Sequence, residues 1–329
     1  MRSTKKPVIR GFGLQWVSMM RLVPVPWSRR VWALPLLTAW CWPAEQSPCR
    51  RHKTSVDGVR HLVTHVRRWQ PGRSLVRGVD GGLAAGSRAL AGATHQVSLV
   101  SRRRGAAARD HPPAPQPPGK RGRKPTTGPR QRRLQRWAER AATPWETVAG
   151  VWSGGQLKHL WVCSRTARWY TPRQSPIAIR DGLVADPEGQ LRLEACCCTA
   201  VQATPAQILP WVVMRWSVEV TFEATRAHRG VETPRQWSEP AMARTPPVRL
   251  GLFSLVSGLA LRLSGAGGSP VPQTAWSRTT APTCADCLAL VRQHLWRARS
   301  VVHSTPEAES MQFPLETLDL VIQGLPFAA

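Results

Sequence analysis

The sequence predicts an α/β protein, a mixed sheet with flanking helices, interrupted by a β-rich stretch. Three observations carry that expectation. Apolar residues switch between strand-like and helix-like spacing over the first hundred positions. Short β-branched and aromatic clusters, separated by turn signals, fill positions 145–200. A helical segment bounded by its own start and stop residues follows at 204–229.

The elements follow in order. Positions 13–42 are apolar and Trp-rich, with Gly13-Leu-Gln-Trp16, Leu22-Val-Pro-Val-Pro-Trp27 and Val31-Trp-Ala-Leu-Pro-Leu-Leu37. Short apolar runs broken by proline read as strands or strand ends, because proline cannot donate to a sheet ladder. Positions 43–54 are polar and basic and read as a loop. Val56, Val59, Leu62, Val63, Val66 and Trp69 then recur at steps of three and four, the spacing of one helix face, with Ser55 as N-cap and Pro71-Gly72 as terminator. Ser74 to Val79 reads as a short strand that ends in Asp80 and the flexible Gly81-Gly82 turn. The Ala-rich 83–91 segment predicts helix, and Val97 with Leu99 predicts another strand.

Positions 111–118, His-Pro-Pro-Ala-Pro-Gln-Pro-Pro, predict an extended, semi-rigid linker. Positions 120–140 carry nine basic side chains: Lys120, Arg121, Arg123, Lys124, Arg130, Arg132, Arg133, Arg136 and Arg140, opposed by Glu139 alone. Such a run is often a solvated face. Here Trp137 sits inside it and the whole chain is basic, which favours phosphate contact. Leu160-Trp-Val162, Trp169-Tyr170, Ile177-Ala-Ile179 and Leu191-Arg-Leu193 read as strands, with Asp186-Pro-Glu-Gly189 as a turn. In the segment 204–229, Thr204 suits the N-cap, Pro205 the first helical position and Gly230 the C′ stop, while Pro210 leaves the start open by a few residues. A last helix is expected around Ala285–Arg299. The domain reading is 1–110, linker 111–140, β-rich insertion 141–200, closing helices 201–262 and a tail from 263 to 329.

Composition bounds the partner. The 329 residues hold 46 Lys and Arg, 40 of them Arg, against 19 Asp and Glu, a net charge of +27. A hydrophobic share of 42% with 16 Trp excludes a solvating, wholly disordered chain. A charge this large calls for a polyanionic partner, nucleic acid first and anionic membrane second. No run reaches the ~18–20 uninterrupted apolar residues of a membrane span. Leu250–Leu261 reads instead as a buried core helix, so no membrane partner is expected. Arg21, Arg29 and Arg30 interrupt the apolar start, which argues against a signal peptide. Cys196, Cys197 and Cys198 are consecutive, which no disulfide framework uses, and a reducing compartment fits best. Cys284-x-x-Cys287 lacks a second well-spaced pair, since His294 and His303 stand too far apart for a zinc site.

The chemistry concentrates after Pro210. Val212, Arg215, Glu219 and Arg226 are separated by three, four and seven residues and share one helical face. Taken alone, Arg215 and Glu219 read first as an ordinary surface ion pair of small energetic value, ahead of a metal-ligating carboxylate beside phosphate-gripping cations. The local sequence adds more. Arg215-Trp-Ser-Val-Glu219, followed by Arg226, resembles the last catalytic segment of bacterial insertion-sequence DDE transposases, whose signature is Tyr-x2-Arg-x3-Glu-x6-Lys. Arg226 stands where Lys is usual, and Val212 where Tyr is usual. Arg51-His-Lys-Thr-Ser-Val-Asp57, Arg68-Trp-Gln-Pro-Gly-Arg73, Val79-Asp80-Gly-Gly, Gly122-Arg-Lys-Pro125 and Ala243-Arg-Thr-Pro246 resemble that family too, in the same order along the chain.

The resemblance implies an RNase H-like fold with a β-rich insertion. It also implies three carboxylates holding two Mg²⁺ ions for in-line displacement at a phosphate. By position, Asp80 would be the second acid and Glu219 the third, both as metal ligands and catalytic groups. Arg215 and Arg226 would grip phosphate, joined by Lys120, Arg121, Arg123, Lys124, Arg132 and Arg133 of the basic run. The implied partner is DNA, both element ends and target, with paired subunits. The implied compartment is the bacterial cytoplasm at the nucleoid. The family's first Asp lies on its opening strand. Before Asp80 this chain holds only Asp57, in the amphipathic helix, and Glu45, in a loop, so that strand and its acid are expected to be missing. Ala200 stands where relatives often carry an acid. The expectation is therefore a transposase by resemblance, inactive in DNA cleavage and strand transfer on its own. A basic nucleic-acid binder without catalysis and the product of a decayed element stay open as alternatives.

Overall fold

A computed structural model describes residues 14–41, 53–84, 97–103, 109–115, 122, 125–152, 155–171, 174–231, 238–265 and 282–300. The Trp-rich opening forms two long antiparallel strands, β1 (Gln15–Val23) and β2 (Trp32–Cys41). Their register runs from Gln15 opposite Cys41 to Val23 opposite Trp32, with a bulge between Met19 and Met20. Trp16 and Trp40 face each other across the ladder and stack with ring centroids 5.5 Å apart. Pro35 lies inside β2, which is tolerable only on an edge.

Helix α1 (Ser55–Trp69) follows the predicted period, but its cap is Thr54 rather than Ser55. Thr54 accepts from the Asp57 amide while the Asp57 carboxylate accepts from the Thr54 amide, a reciprocal box that satisfies two orphan donors. Asp57 is thereby committed to the helix start. The buried face of α1, Gly58, Val59, Leu62 and Val63, packs on Val17 of β1 and Cys41 of β2. A Cβ on Gly58 would lie 3.3 Å from the Cys41 sulfur, so a small residue is what lets the helix sit this close.

The second sheet has six strands in the order β3-β4-β8-β7-β6-β5. Strands β3 (Leu75–Val79) and β4 (Val97–Arg103) are parallel, and β4 pairs antiparallel with β8 (Glu194–Cys198). β7 (Gln174–Ala185), β6 (Leu157–Thr171) and β5 (Glu146–Val151) continue antiparallel to the far edge. The β-rich stretch thus extends the sheet begun by β3 and β4. Leu160–Val162 and Trp169–Tyr170, expected as separate strands, lie on the single long β6, which buries Leu160, Val162, Cys163, Ala167 and Trp169 and leaves Leu157, Trp161 and Tyr170 exposed. Leu191–Leu193 precedes β8 and is not part of it. The turn at Asp186 is as expected, with the Gly189 amide donating to the Asp186 carbonyl at a φ of 70°.

The Cys triplet fills the centre of this sheet. Cys196 and Cys198 pack with Val100, Ile208 and Val212 on one face, and Cys197 packs with Leu99 and Ile179 on the other. Burial pushes the Cys198 thiol up to about 11, so these cysteines behave as small apolar fillers.

The expected single helix over 204–229 is two helices, α3 (Pro205–Met214) and α4 (Trp216–Arg229), separated at Arg215. α2 is the short Leu134–Ala138 turn that precedes β5. Thr204 caps α3 in a box with Gln207, Pro205 opens it, and Pro210 is held inside it without moving its start. Gly230 ends α4 in the left-handed region at φ 56°. α5 (Glu239–Ser264) and α6 (Cys284–Ser300) pack together against β2 through Trp32, Phe253, Val256, Ala260, Cys287 and Val291. The helix expected near Ala285 is therefore part of the core. α5 is the one helix among the described residues long and apolar enough to cross a membrane, and it docks by one face while Val248 and Leu255 stay exposed. The rest of the Ala-rich 83–91 segment beyond a helical turn at 81–84 lies outside the described residues, as does Glu45.

Candidate functional site

The site forms where β3 ends. β3 and β4 run parallel, so their carboxyl ends open at the same edge, the position where α/β sheets commonly place ligands. Asp80 follows β3 directly and is exposed, and its carbonyl accepts from the amides of Leu83 and Ala84, which starts the helical turn there. Above this strand end lies the junction of α3 and α4. A Cβ on Gly78 would sit 3.5 Å from the Arg215 side chain, so the lack of a side chain at Gly78 leaves room for the arginine stem to rest on the strand.

Arg215 reaches Glu219 at 2.8 Å, with side-chain exposures of 13% and 43%. The pair is half wet, so it is worth a fraction of a kcal/mol and mainly fixes the carboxylate at the first turn of α4. The positive end of the α4 helix favours a negative charge there. Val212 is buried against Val100 and Cys198 and anchors α3. Arg226 is exposed on the last turn of α4, well along the helix from Arg215. The structure thus seats Arg215 on Gly78 and pairs it with Glu219, and leaves Arg226 at the helix end.

Two residues that spacing alone did not single out belong to this neighbourhood. Arg102 of β4 lies 3.2 Å from Glu194 and stacks its guanidinium 5.3 Å from the Trp216 ring centroid. Trp216, 44% exposed, presents a flat apolar face next to the Arg215–Glu219 pair. Only the pairing of β4 with β8 brings Arg102 and Glu194 together, 92 positions apart in sequence.

The basic run divides in two. Lys120, Arg121, Arg123 and Lys124 lie outside the described residues. Arg130, Arg132, Arg133, Arg136 and Arg140 are described, and all five are exposed. They are held in place by their neighbours. Leu134 is fully buried with Cys163 and Leu183, Trp137 lies under the Arg165 guanidinium at 4.6 Å, and Arg165 donates to the Arg132 carbonyl. The Asp110 and Arg168 backbones exchange hydrogen bonds that tie the approach to this segment onto β6. The five arginines are thus displayed on an anchored surface.

A two-magnesium site needs three or more converging carboxylates. Among the described residues no three His, Cys, Asp or Glu side chains gather within reach of one ion. Asp57 is spent on a helix cap, Ala200 offers no oxygen, and Glu219 has one oxygen on Arg215. The residues described do not make the donor set that the resemblance implies. No protein-family model matches the chain, and no curated protein matches it.

Proposed function

We propose that this chain is a DNA-binding protein of the DDE-transposase type that grips the phosphate backbone and does not cut it unaided. The observation that carries the reading is the seating of Arg215 over Gly78, which sets the Arg215–Glu219 pair against β3, the strand that Asp80 follows. Arg215 offers a fork that suits a phosphate's two oxygens, and the five exposed arginines around α2 supply sequence-independent affinity. Trp216 offers a stacking face for an unpaired base. The chain's own residues bind and orient the strand. In this reading the partner is DNA and the setting is a bacterial nucleoid.

Fluorescence anisotropy with a labelled duplex tests it. Binding is expected without divalent metal, with affinity falling steeply as salt rises. The triple variant Arg132→Ala, Arg133→Ala, Arg136→Ala is expected to flatten the salt slope by about 0.9 for each phosphate that is no longer neutralised. Binding that ignores salt overturns the phosphate reading. Metal-dependent nicking by the purified chain, abolished in Glu219→Gln, overturns the claim that it does not cut.

A further inference from the structure

Helix α1 carries chemistry on its outer side that the site at β3 does not use. His61 and His65 stand four residues apart, about one turn, so both rings leave the same side of the helix. Their ring centroids lie 4.5 Å apart, with the planes at 82° to each other. His65 also touches Trp69, at 6.4 Å between centroids, so the three side chains form a single file along α1. His61 and Trp69 are exposed and His65 is half-buried, which leaves the imidazoles open to ions from solvent.

The frame behind the pair is rigid. The opposite face of α1 buries Gly58, Val59, Leu62 and Val63. The Thr54–Asp57 box closes the first turn. At the other end, Arg67 donates to the carbonyls of Gln70 and Arg73. The helix backbone under both histidines is therefore fixed before any ligand arrives, and only side-chain torsions are left to settle. That lowers the entropy cost of closing a chelate.

Two imidazoles one helical turn apart are the ligand pair that helical zinc motifs use, with metal–nitrogen bonds of about 2.0–2.1 Å. Rings as close as these bring one nitrogen each to a shared ion by small rotations. The surroundings select the kind of ion. Lys53 and Arg68 act electrostatically on His61, so the local field is positive and opposes cations held by charge alone. Among the described residues no third His, Cys, Asp or Glu joins the pair, so the oxygen ligands that Mg²⁺ and Ca²⁺ require are not supplied. Imidazole nitrogen suits Cu²⁺, Ni²⁺ and Zn²⁺ instead. The described cysteines are all buried, which keeps their sulfurs from competing in the folded chain.

We propose that His61 and His65 form a two-imidazole site for a divalent transition-metal ion, with water or an outside ligand on the remaining positions. α1 packs on Val17 and Cys41 of the hairpin and on Val97 of the second sheet. An ion that binds only the folded helix therefore stabilises the element that joins the two sheets. The pair takes no part in the proposed grip on DNA.

The test titrates Ni²⁺ into the whole chain at neutral pH, without DNA, and reads thermal melting and tryptophan fluorescence. A saturable rise in melting temperature is expected with Ni²⁺ and not with Mg²⁺ at the same concentration. His61→Ala and His65→Ala are each expected to weaken Ni²⁺ binding by about a hundredfold, because the second ligand no longer binds intramolecularly. Neither ring is in the core and alanine favours helix, so both variants are expected to keep the parent circular dichroism. His65→Ala combined with Arg68→His restores two histidines seven positions apart, two turns along the helix, and is expected to bind no better than the single variants. Trp69→Phe is expected to keep the affinity and to lose part of the quenching, since an ion on His65 lies beside the Trp69 ring. Four results overturn the proposal: equal Ni²⁺ affinity in the parent and either single variant, an equal response to Mg²⁺, parent affinity regained at the spacing of seven, or quenching unchanged in Trp69→Phe.

Discussion

The two ends of the sheet layer are built on opposite principles. At the β6–β7–β8 end, every strand has neighbours on both sides, the Cys triplet is packed on both faces, and a charged pair is sealed inside. Arg109 lies 3.3 Å from Asp181, both side chains essentially inaccessible, and the guanidinium sits 5.4 Å from the Trp169 ring centroid. At the β1–β3 end, the hairpin strands are long and rich in tryptophan, yet they are held to the second sheet by helices instead of by a shared ladder. The difference teaches that apolar content does not close a sheet. Strand number and pairing do, and a cation buried beside its carboxylate, as Arg109 is, recovers part of the cost of leaving water. Arg109 has its carboxylate, whereas Arg77 of β3 keeps Nε and Nη1 buried without a hydrogen-bond partner.

That comparison is sharpest at Asp181. Asp181→Ala leaves Arg109 buried without its carboxylate and is expected to destabilise the chain by about 3–5 kcal/mol, read by urea denaturation. The double change Asp181→Leu with Arg109→Met is expected to recover much of that loss, because both charges are gone. A single variant as stable as the parent breaks the claim that this end is sealed by the pair.

A smaller effect is expected at the hairpin. Thr221→Val keeps the shape but removes the donor to the Ala33 carbonyl, with a loss of about 1 kcal/mol. The faster hydrogen exchange that accompanies it is expected in β2 and not in β7. Equal acceleration in both strands indicates that the two ends unfold as one unit, which erases the contrast.

The smallest effect concerns α1, the helix that bridges the sheets. Burial, then His65, Lys53 and Arg68, holds His61 below the ordinary imidazole value. A depressed imidazole takes up its proton less readily folded than unfolded. Its contribution is therefore complete above the ordinary value near about pH 6.5 and is lost as pH falls through the lower folded value. Melting temperatures measured at about pH 7.5 and about pH 5.5 are expected to differ slightly less in His61→Gln than in the parent. An unchanged difference assigns the pH dependence to other groups.

Much of this was legible in the residues. The α1 period, the Thr204–Pro205 start, the Gly230 stop, the Asp186–Gly189 turn and the α/β alternation follow from local rules, and the structure keeps each of them. The break at Arg215 was not legible, since 204–229 reads as continuous helix and nothing local to Arg215 is a helix breaker. The Thr54 cap was missed by one position because Ser and Thr are both good caps, and only the reach back from Asp57 chooses between them. Of the site, the Arg215–Glu219 pair was visible as an i,i+4 spacing, whereas Arg102, Glu194 and Trp216 meet only across the sheet.

The sequence by itself determined the class of structure, the basic character of the surface and the identity of the charged groups at the end of β3. These depend on spacing and composition, which are properties of neighbours along the chain. Only the tertiary structure decided which arginines have partners and where the two sheets face each other. Those outcomes depend on contacts between residues far apart in the chain, such as Arg109 with Asp181 and Thr221 with Ala33, and no local pattern encodes them.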